Sequence, residues 1–203
     1  MLIKIYDKNP NEKNIRIAAK VLEDGGLVIF PTDTIYAIGC NVYSPRALER
    51  MARIKGVSPK TANFSFLFAD LSHLSEYTRP ISNEVYKLMK RTLPGPYTFI
   101  LEANSNVPKI LGVKKKTVGI RIPDNPILLE IIRELGKPIM STSVHDDDEV
   151  IEYTTDPELI HEKYEEFVDL VIDGGYGGNQ PSTVYDCSGE DIVLVREGKG
   201  EIA

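Results

Sequence analysis

A single α/β domain, spanning residues 1–203 and built on a twisted mixed sheet, is the fold the sequence predicts. Three observations predict it. Strand-like and helix-like segments alternate along the whole chain, the pattern of layered α/β domains. The helices are short and the last apolar runs look antiparallel, which argues against a plain doubly wound sheet. Polar groups recur at successive strand ends, where open α/β sheets hold ligands, so one face of the sheet is expected to be concave and to bind something.

The elements follow in order. LIKIY (2–6) reads as a strand, and 11–24 as a helix with Ile15, Ala18, Ala19 and Leu22 on one face. Gly25-Gly26 ends that helix, because glycine tolerates the left-handed backbone of a C-terminal cap. Residues 27–30 form a buried strand, and FPTDTIYAIG (30–39) then reads as a polar loop of hydroxyls and one carboxylate. Ser44-Pro45 supplies an N-cap and a first-turn proline for a helix to about Lys55. FSFLFA (64–69) and YTFILEA (97–103) are strands; the stretch between them is mostly helical, broken at Pro80 and ended by Pro94-Gly95-Pro96. TVGIRI (117–122) is a strand, 125–135 a helix closed by Gly136, and PIMST (138–142) a strand. Asp156-Pro157 starts a further helix. VDLVID, STVYD and IVLVRE complete the sheet.

Composition narrows the function. Hydrophobic residues make up 42% and charged ones 27%, as in ordinary soluble domains. No apolar run approaches the roughly 20 residues that span a bilayer, and the start carries no signal-peptide core, so a cytoplasmic protein with no membrane partner is expected. Cys40 and Cys187 stand far apart with no CxxC, which suggests neither a disulfide framework nor a zinc site. A net charge of −6 argues against wholesale coating of nucleic acid. No P-loop, GxGxxG or GxSxG occurs. His73, His145 and His161 lack metal-ligand spacing; His73 and His161 are expected at the surface, and no metal site is expected.

What remains is polar groups beside apolar strands: RIKGVSPKTAN (53–63), TVGIRIP (117–123), STSVH (141–145), DGGYGGNQPSTV (173–184) and VREG (195–198). At these residues the chain resembles the YrdC/TsaC/YciO family, which includes threonylcarbamoyl-adenylate synthases. FPTDTIYAIG is similar to the family's opening FPTETxYGLG loop, IKG to its KG motif, and LPGPYTFIL to its PGPxT segment. VGIRIP, PSTVYD and VREG resemble VxxRxP, PSTVVD and LRxG. The YciO branch is nearest in character, because six residues separate KG from Asn63-Phe64 and the STS run is not followed by Asn.

The resemblance implies a YrdC-like fold with a concave binding face. It also implies condensation of threonine, bicarbonate and ATP into threonylcarbamoyl-AMP and pyrophosphate, a step linked to t6A modification of tRNA. ATP would enter as substrate with Mg²⁺, with no tightly bound cofactor. No protein nucleophile is needed, since an N-carboxylated amino acid attacks the α-phosphate itself; catalysis would rest on positioning and fixed cations. Residue by residue, Thr32, Thr34 and Tyr36 would form the threonine pocket, with Ser141 supporting it and Arg121 clamping the carboxylate. Lys55, Asn63, Thr117, Ser143, Ser182 and Arg196 would serve the nucleotide, with Lys55 as a point charge for phosphate. The catalytic pair would be Lys55 and Arg121. From the residues alone, turn capping is an equal reading for Thr32, Asp33 and Ser182, and a buried ion pair is the competing one for Arg121.

Three departures bear on activity. Val57 follows Gly56 where family synthases carry arginine, leaving Lys60 as the nearby substitute. Phe68 stands at the family's histidine, and His145 replaces the asparagine of SxN. Two further runs have two readings each: Asp146–Asp148 as a solvated loop or a Mg²⁺ site, and Lys114–Lys116 as a solvated turn or a rim for polyanions such as double-stranded RNA or tRNA. Two functions therefore stand: a synthase, and a nucleotide- or double-stranded-RNA-binding module with reduced or no synthase activity.

Overall fold

The computed structural model describes residues 1–59, 61–111, 114–144 and 152–202. The strands are β1 (Leu2–Lys4), β2 (Val28–Phe30), β3 (Ala37–Asn41), β4 (Ser65–Leu67), β5 (Tyr97–Glu102), β6 (Thr117–Arg121), β7 (Ile139–Ser143), β8 (Leu170–Asp173), β9 (Thr183–Asp186) and β10 (Val193–Arg196). The helices are α1 (Glu12–Glu23), α2 (Pro45–Ile54), α3 (Asn83–Thr92), α4 (Asn106–Leu111), α5 (Pro126–Leu135), α6 (Glu152–Thr155) and α7 (Pro157–Tyr164), with one 3₁₀ turn at Leu74–Glu76. Several strands are shorter than the apolar runs that announce them. The last three residues of FPTDTIYAIG are not loop but the start of strand β3, paired antiparallel with both β2 and β7.

Local chemistry sets the helix ends. Asn11, Ser44, Ser82 and Asn125 each accept a hydrogen bond from the backbone N–H three residues on, and Asp156 from that of Glu158, satisfying donors that have no helical partner. Gly136 closes α5 with φ +66°, a conformation that costs glycine nothing.

All ten strands form one sheet in the order β1-β8-β2-β3-β7-β4-β6-β5-β9-β10. It is mixed: β1–β8, β8–β2, β4–β6 and β5–β9 are parallel, and the other neighbours antiparallel. Side chains alternate between faces along each strand, so the sheet has two cores. One face, carrying Ile29, Ile38, Phe66, Phe99 and Ile120, packs against α2, α3 and α7. The other carries Val28, Phe30, Leu67, Ile139 and Leu170 and packs on α1 and α5, whose Ala18, Leu22, Ile127 and Ile131 are buried. That second cover stops partway. Past it, the same face presents mostly serines, threonines and a glycine on β7, β4, β6 and β5, and then Val184 on β9 and Val195 and Arg196 on β10.

His161 departs from expectation. Its side chain is only 23% exposed and its Nε2 is buried without a hydrogen-bond partner among the described residues. His73 does lie at the surface, with its Nδ1 2.7 Å from Glu76 Oε1.

Candidate active site

The uncovered half of the sheet forms a cavity of about 610 Å³. Register explains its floor. Ser141 pairs with Ser65, Ser65 with Gly119 and Gly119 with Ile100, so a row of small residues crosses three strands and ends at Ile100 on the fourth. A Cβ on Gly119 would lie 3.0 Å from Ser65 Oγ and 3.6 Å from Thr98 Cγ2, so the glycine keeps the floor low. At the far edge β10 carries an irregularity: Leu194 pairs with Tyr185, but Arg196 rather than Val195 pairs with Val184. This extra residue lets the consecutive Val195 and Arg196 both line the cavity, which strict alternation forbids.

Of the residues implied by the motifs, Thr34, Asn63, Thr117, Arg121, Ser141, Ser143, Ser182 and Arg196 line this one cavity. Thr32, Tyr36 and Lys55 do not. Lys55 is the C-terminal cap residue of α2, and Val57 is exposed outside the lining. Phe68 is buried in the core, edge-on to Tyr77 at 5.4 Å. Lys60, His145 and the Asp146–Asp148 run lie outside the described residues.

Hydrogen-bond capacity separates Thr32 from Thr34. Thr32 Oγ1 donates its one proton to the Ile35 carbonyl at 2.8 Å, so it is the acceptor in its 3.0 Å contact with Thr34 Oγ1. It also accepts the Thr34 backbone N–H. A hydroxyl has one donor and two lone pairs, and all three are engaged. Thr32 therefore locks the loop. Thr34 Oγ1, donating to Thr32 and accepting from Arg121 Nη2 at 3.0 Å, keeps one lone pair for a donor in the cavity. Tyr36 is a second lock: its hydroxyl donates to Gly175 O (2.8 Å) and accepts from Gly174 N (3.1 Å), and burial drives its pKa up.

The carboxylate of the loop holds Arg121. Asp33 Oδ1 accepts from Arg121 Nη2 at 3.0 Å, and Asp33 Oδ2 from Asp124 N at 3.1 Å. The Lys199 ammonium also donates to the Asp33 carbonyl. Arg121 is an ion-paired residue and a cavity residue at once. Burial pulls its pKa down, Asp33 opposes this, and the nearby Arg196 adds to the fall. Its Nε is buried with no partner among the described residues. An arginine stays protonated even so, and an unsatisfied buried guanidinium favours an anion beside it.

Arg196 is fixed by Ser182, whose carbonyl accepts from Nε (3.1 Å) and Nη2 (2.9 Å), while Ser182 Oγ is 2.8 Å from Thr98 Oγ1. Thr98 and Ser65 are cavity residues to which the motif comparison gave no role; their inward faces follow from register alone. Lys115 is the third. It lines the cavity and donates from Nζ to the Ala62 carbonyl at 2.8 Å, whereas Lys114 and Lys116 are exposed. Among the described residues the lining thus contains Lys115, Arg121 and Arg196 and no aspartate or glutamate, in a chain of net charge −6.

The family model Sua5_yciO_yrdC, described as telomere recombination, matches residues 20–198. The chain is 41% identical over 200 residues to YciO of Escherichia coli K12, an uncharacterised protein, covering 98% of this chain and 95% of that one. It is 32% identical over 191 residues to a threonylcarbamoyl-AMP synthase of Pyrococcus abyssi, covering 92% of this chain but 54% of that protein. Among solved structures, E. coli YciO superposes with a TM-score of 0.89 at 40% identity, covering 99% and 97% of the two chains. P. abyssi Sua5 complexed with L-threonine superposes at 0.85 and 28% identity, covering 98% of this chain and 57% of that one. The shared fold, the motif residues gathered in one cavity and the match over most of its length place the chain in the Sua5/YciO/YrdC family.

Proposed function

We propose that the cavity binds ATP and an amino acid, and that the protein makes an N-carbamoyl-adenylate of the threonylcarbamoyl-AMP type. The observation that carries this reading is the charge of the lining, three cations and no carboxylate among the described residues around about 610 Å³. Relatives named threonylcarbamoyl-AMP synthase and a Sua5 structure holding L-threonine support the substrate class. The amine of threonine and bicarbonate give a carbamate and a water molecule; the carbamate oxygen bonds to the α-phosphorus, the bond to the bridging oxygen breaks, and pyrophosphate leaves with the electron pair.

Each residue has a task that its geometry suits. Arg121, held by Asp33, offers its unpartnered side to the amino-acid carboxylate. Thr34 offers its remaining lone pair to the N–H of the carbamate. Arg196, immobilised by Ser182, meets the α-phosphate. Ser141, Ser143, Thr117 and Asn63 hydrogen-bond the remaining edges of the ligands. Mg²⁺ would arrive with the nucleotide. A thiolate is not called for, and burial pushes the Cys40 thiol up to about 12.

A second reading is a nucleotide-binding module with little turnover and, through the exposed Lys114 and Lys116, an attachment for tRNA or double-stranded RNA. The position of Val57, exposed and outside the lining, favours it. One experiment separates the two. Purified protein is incubated with ATP, threonine and bicarbonate, and pyrophosphate and the adenylate are measured beside ATP affinity. Threonine-dependent pyrophosphate release that disappears in Arg121→Ala supports the synthase. ATP binding without release supports the module, and absence of both removes the nucleotide reading.

A further inference from the structure

The cavity contains a cation that the family motifs leave unassigned. Lys115 sits in a run of three lysines whose composition suggests a solvated turn. It alone of the three lines the cavity, and Nζ is tied to the Ala62 carbonyl at 2.8 Å. An ammonium carries three donors. One is engaged by Ala62, and the other two have no protein partner among the described residues. A lysine stem freed from that tether would regain rotamer entropy and full hydration in water, so its retention at the cavity points to an anionic occupant. Ala62 belongs to the loop after Lys55-Gly56, so the Lys115 charge rests against the segment whose Lys55 lies outside the lining.

The cations divide along β6. Its ends, Thr117 and Arg121, stand about 13 Å apart at roughly 3.3 Å per residue. Arg121 marks one end with Asp33 and Thr34, and Arg196 is close enough to it to lower its pKa. Lys115 stands beyond the other end, two residues before Thr117. A ligand with anionic groups at both ends, such as a polyphosphate facing a carboxylate, matches this separation.

We propose that Lys115 contacts the β- and γ-phosphates of a bound nucleoside triphosphate and stabilises the pyrophosphate as it leaves. This rests on the nucleotide reading above and identifies the leaving-group cation within it. As the bond from α-phosphorus to the bridging oxygen breaks, negative charge accumulates on that oxygen, and a fixed ammonium beside it lowers the barrier without moving a proton. Lys115 also supplies positive charge that Val57 cannot.

The test is calorimetry of wild type, Lys115→Met and Lys115→Arg with ATP, AMP and inorganic pyrophosphate in turn. Lys115→Met is expected to weaken ATP and pyrophosphate at least about tenfold and leave AMP within about twofold, with Lys115→Arg restoring most of the loss. A role confined to holding the Ala62 loop would move AMP as much as ATP, and that result overturns the assignment. Unchanged ATP affinity in Lys115→Met overturns it too, while leaving the nucleotide reading intact. A wild-type protein that binds none of the three ligands refutes the nucleotide reading itself, and the Lys115 assignment with it.

Discussion

Replacing Asp33 with Asn removes one charge from a nearly isosteric side chain, and the cost follows from what the carboxylate touches. Both side chains of the Asp33–Arg121 pair are close to buried, at 8% and 12% exposure. The two carboxylate oxygens face two donors, Arg121 Nη2 and Asp124 N. An amide has a single oxygen, so one of those donors would meet an NH₂ group. Removing one partner of a buried ion pair costs about 3–5 kcal/mol. Arg121 borders the open cavity on one side, which places the expected loss near the lower end, about 3 kcal/mol. For a chain of this length that corresponds to a fall in Tm of about 6–12 °C. The assay is urea unfolding of wild type, Asp33→Asn, Arg121→Met and the double variant. A coupling energy of about 2 kcal/mol or more is expected, because the double variant no longer strands a charge. Additivity within about 0.5 kcal/mol would refute the argument that the loop folds around this pair.

Three further outcomes are expected. Gly119→Leu should abolish ATP binding while changing Tm by only a few degrees, since the new side chain enters the cavity above Ser65 and Thr98; undiminished ATP affinity by calorimetry would show that the floor is not where the ligand lies. Tyr36→Phe should cost about 1–3 kcal/mol in chemical denaturation, because it leaves the Gly174 N–H and Gly175 carbonyl unpaired; wild-type stability together with lost threonine binding would make Tyr36 a ligand rather than a lock. Burial raises the Cys40 pKa from 9.0 to about 12, so the native state holds that proton more tightly than the unfolded chain does. Its contribution is complete below pH 9 and is lost as pH rises from 9 towards about 12, at about 1.4 kcal/mol per unit. Cys40→Ala should flatten that part of the stability profile; superimposable slopes for the two proteins would sink the assignment.

What the sequence disclosed was what short-range chemistry determines. Asn11, Ser44, Asn125 and Asp156 each act within three residues, so the starts of α1, α2, α5 and α7 were legible from neighbours alone. β3 was not. Ala37–Asn41 has no alternation to betray it, since all five residues are buried between β2 and β7, and a Gly39-Cys40 pair does not announce a strand. The motifs identified most of the polar lining, yet they could not distinguish Thr34 from Thr32, which differ only in how many hydrogen bonds each has already made. Lys115 was hidden for a similar reason: three consecutive lysines look alike until the Ala62 carbonyl selects one. Val195 and Arg196 share a face only because of pairing with β9, an interaction that no local window contains.

The helical cover that ends partway across the sheet has a thermodynamic consequence. The open part of the sheet could carry a roof, and α1 and α5 do not supply one, so any molecule seated on Ser65, Gly119 and Thr98 completes the layer from outside the chain. Occupancy and folding are then linked equilibria: at a hundred times its dissociation constant, a ligand selective for the native state adds about 2.7 kcal/mol to unfolding. Spread over a chain of this size, that raises the melting temperature by about 5–11 °C. The protein thereby reports its own substrate. A panel of nucleotides, amino acids and their mixtures, ranked by melting shift, would read out which small molecules the open half of the sheet accepts, with no prior assumption about the reaction.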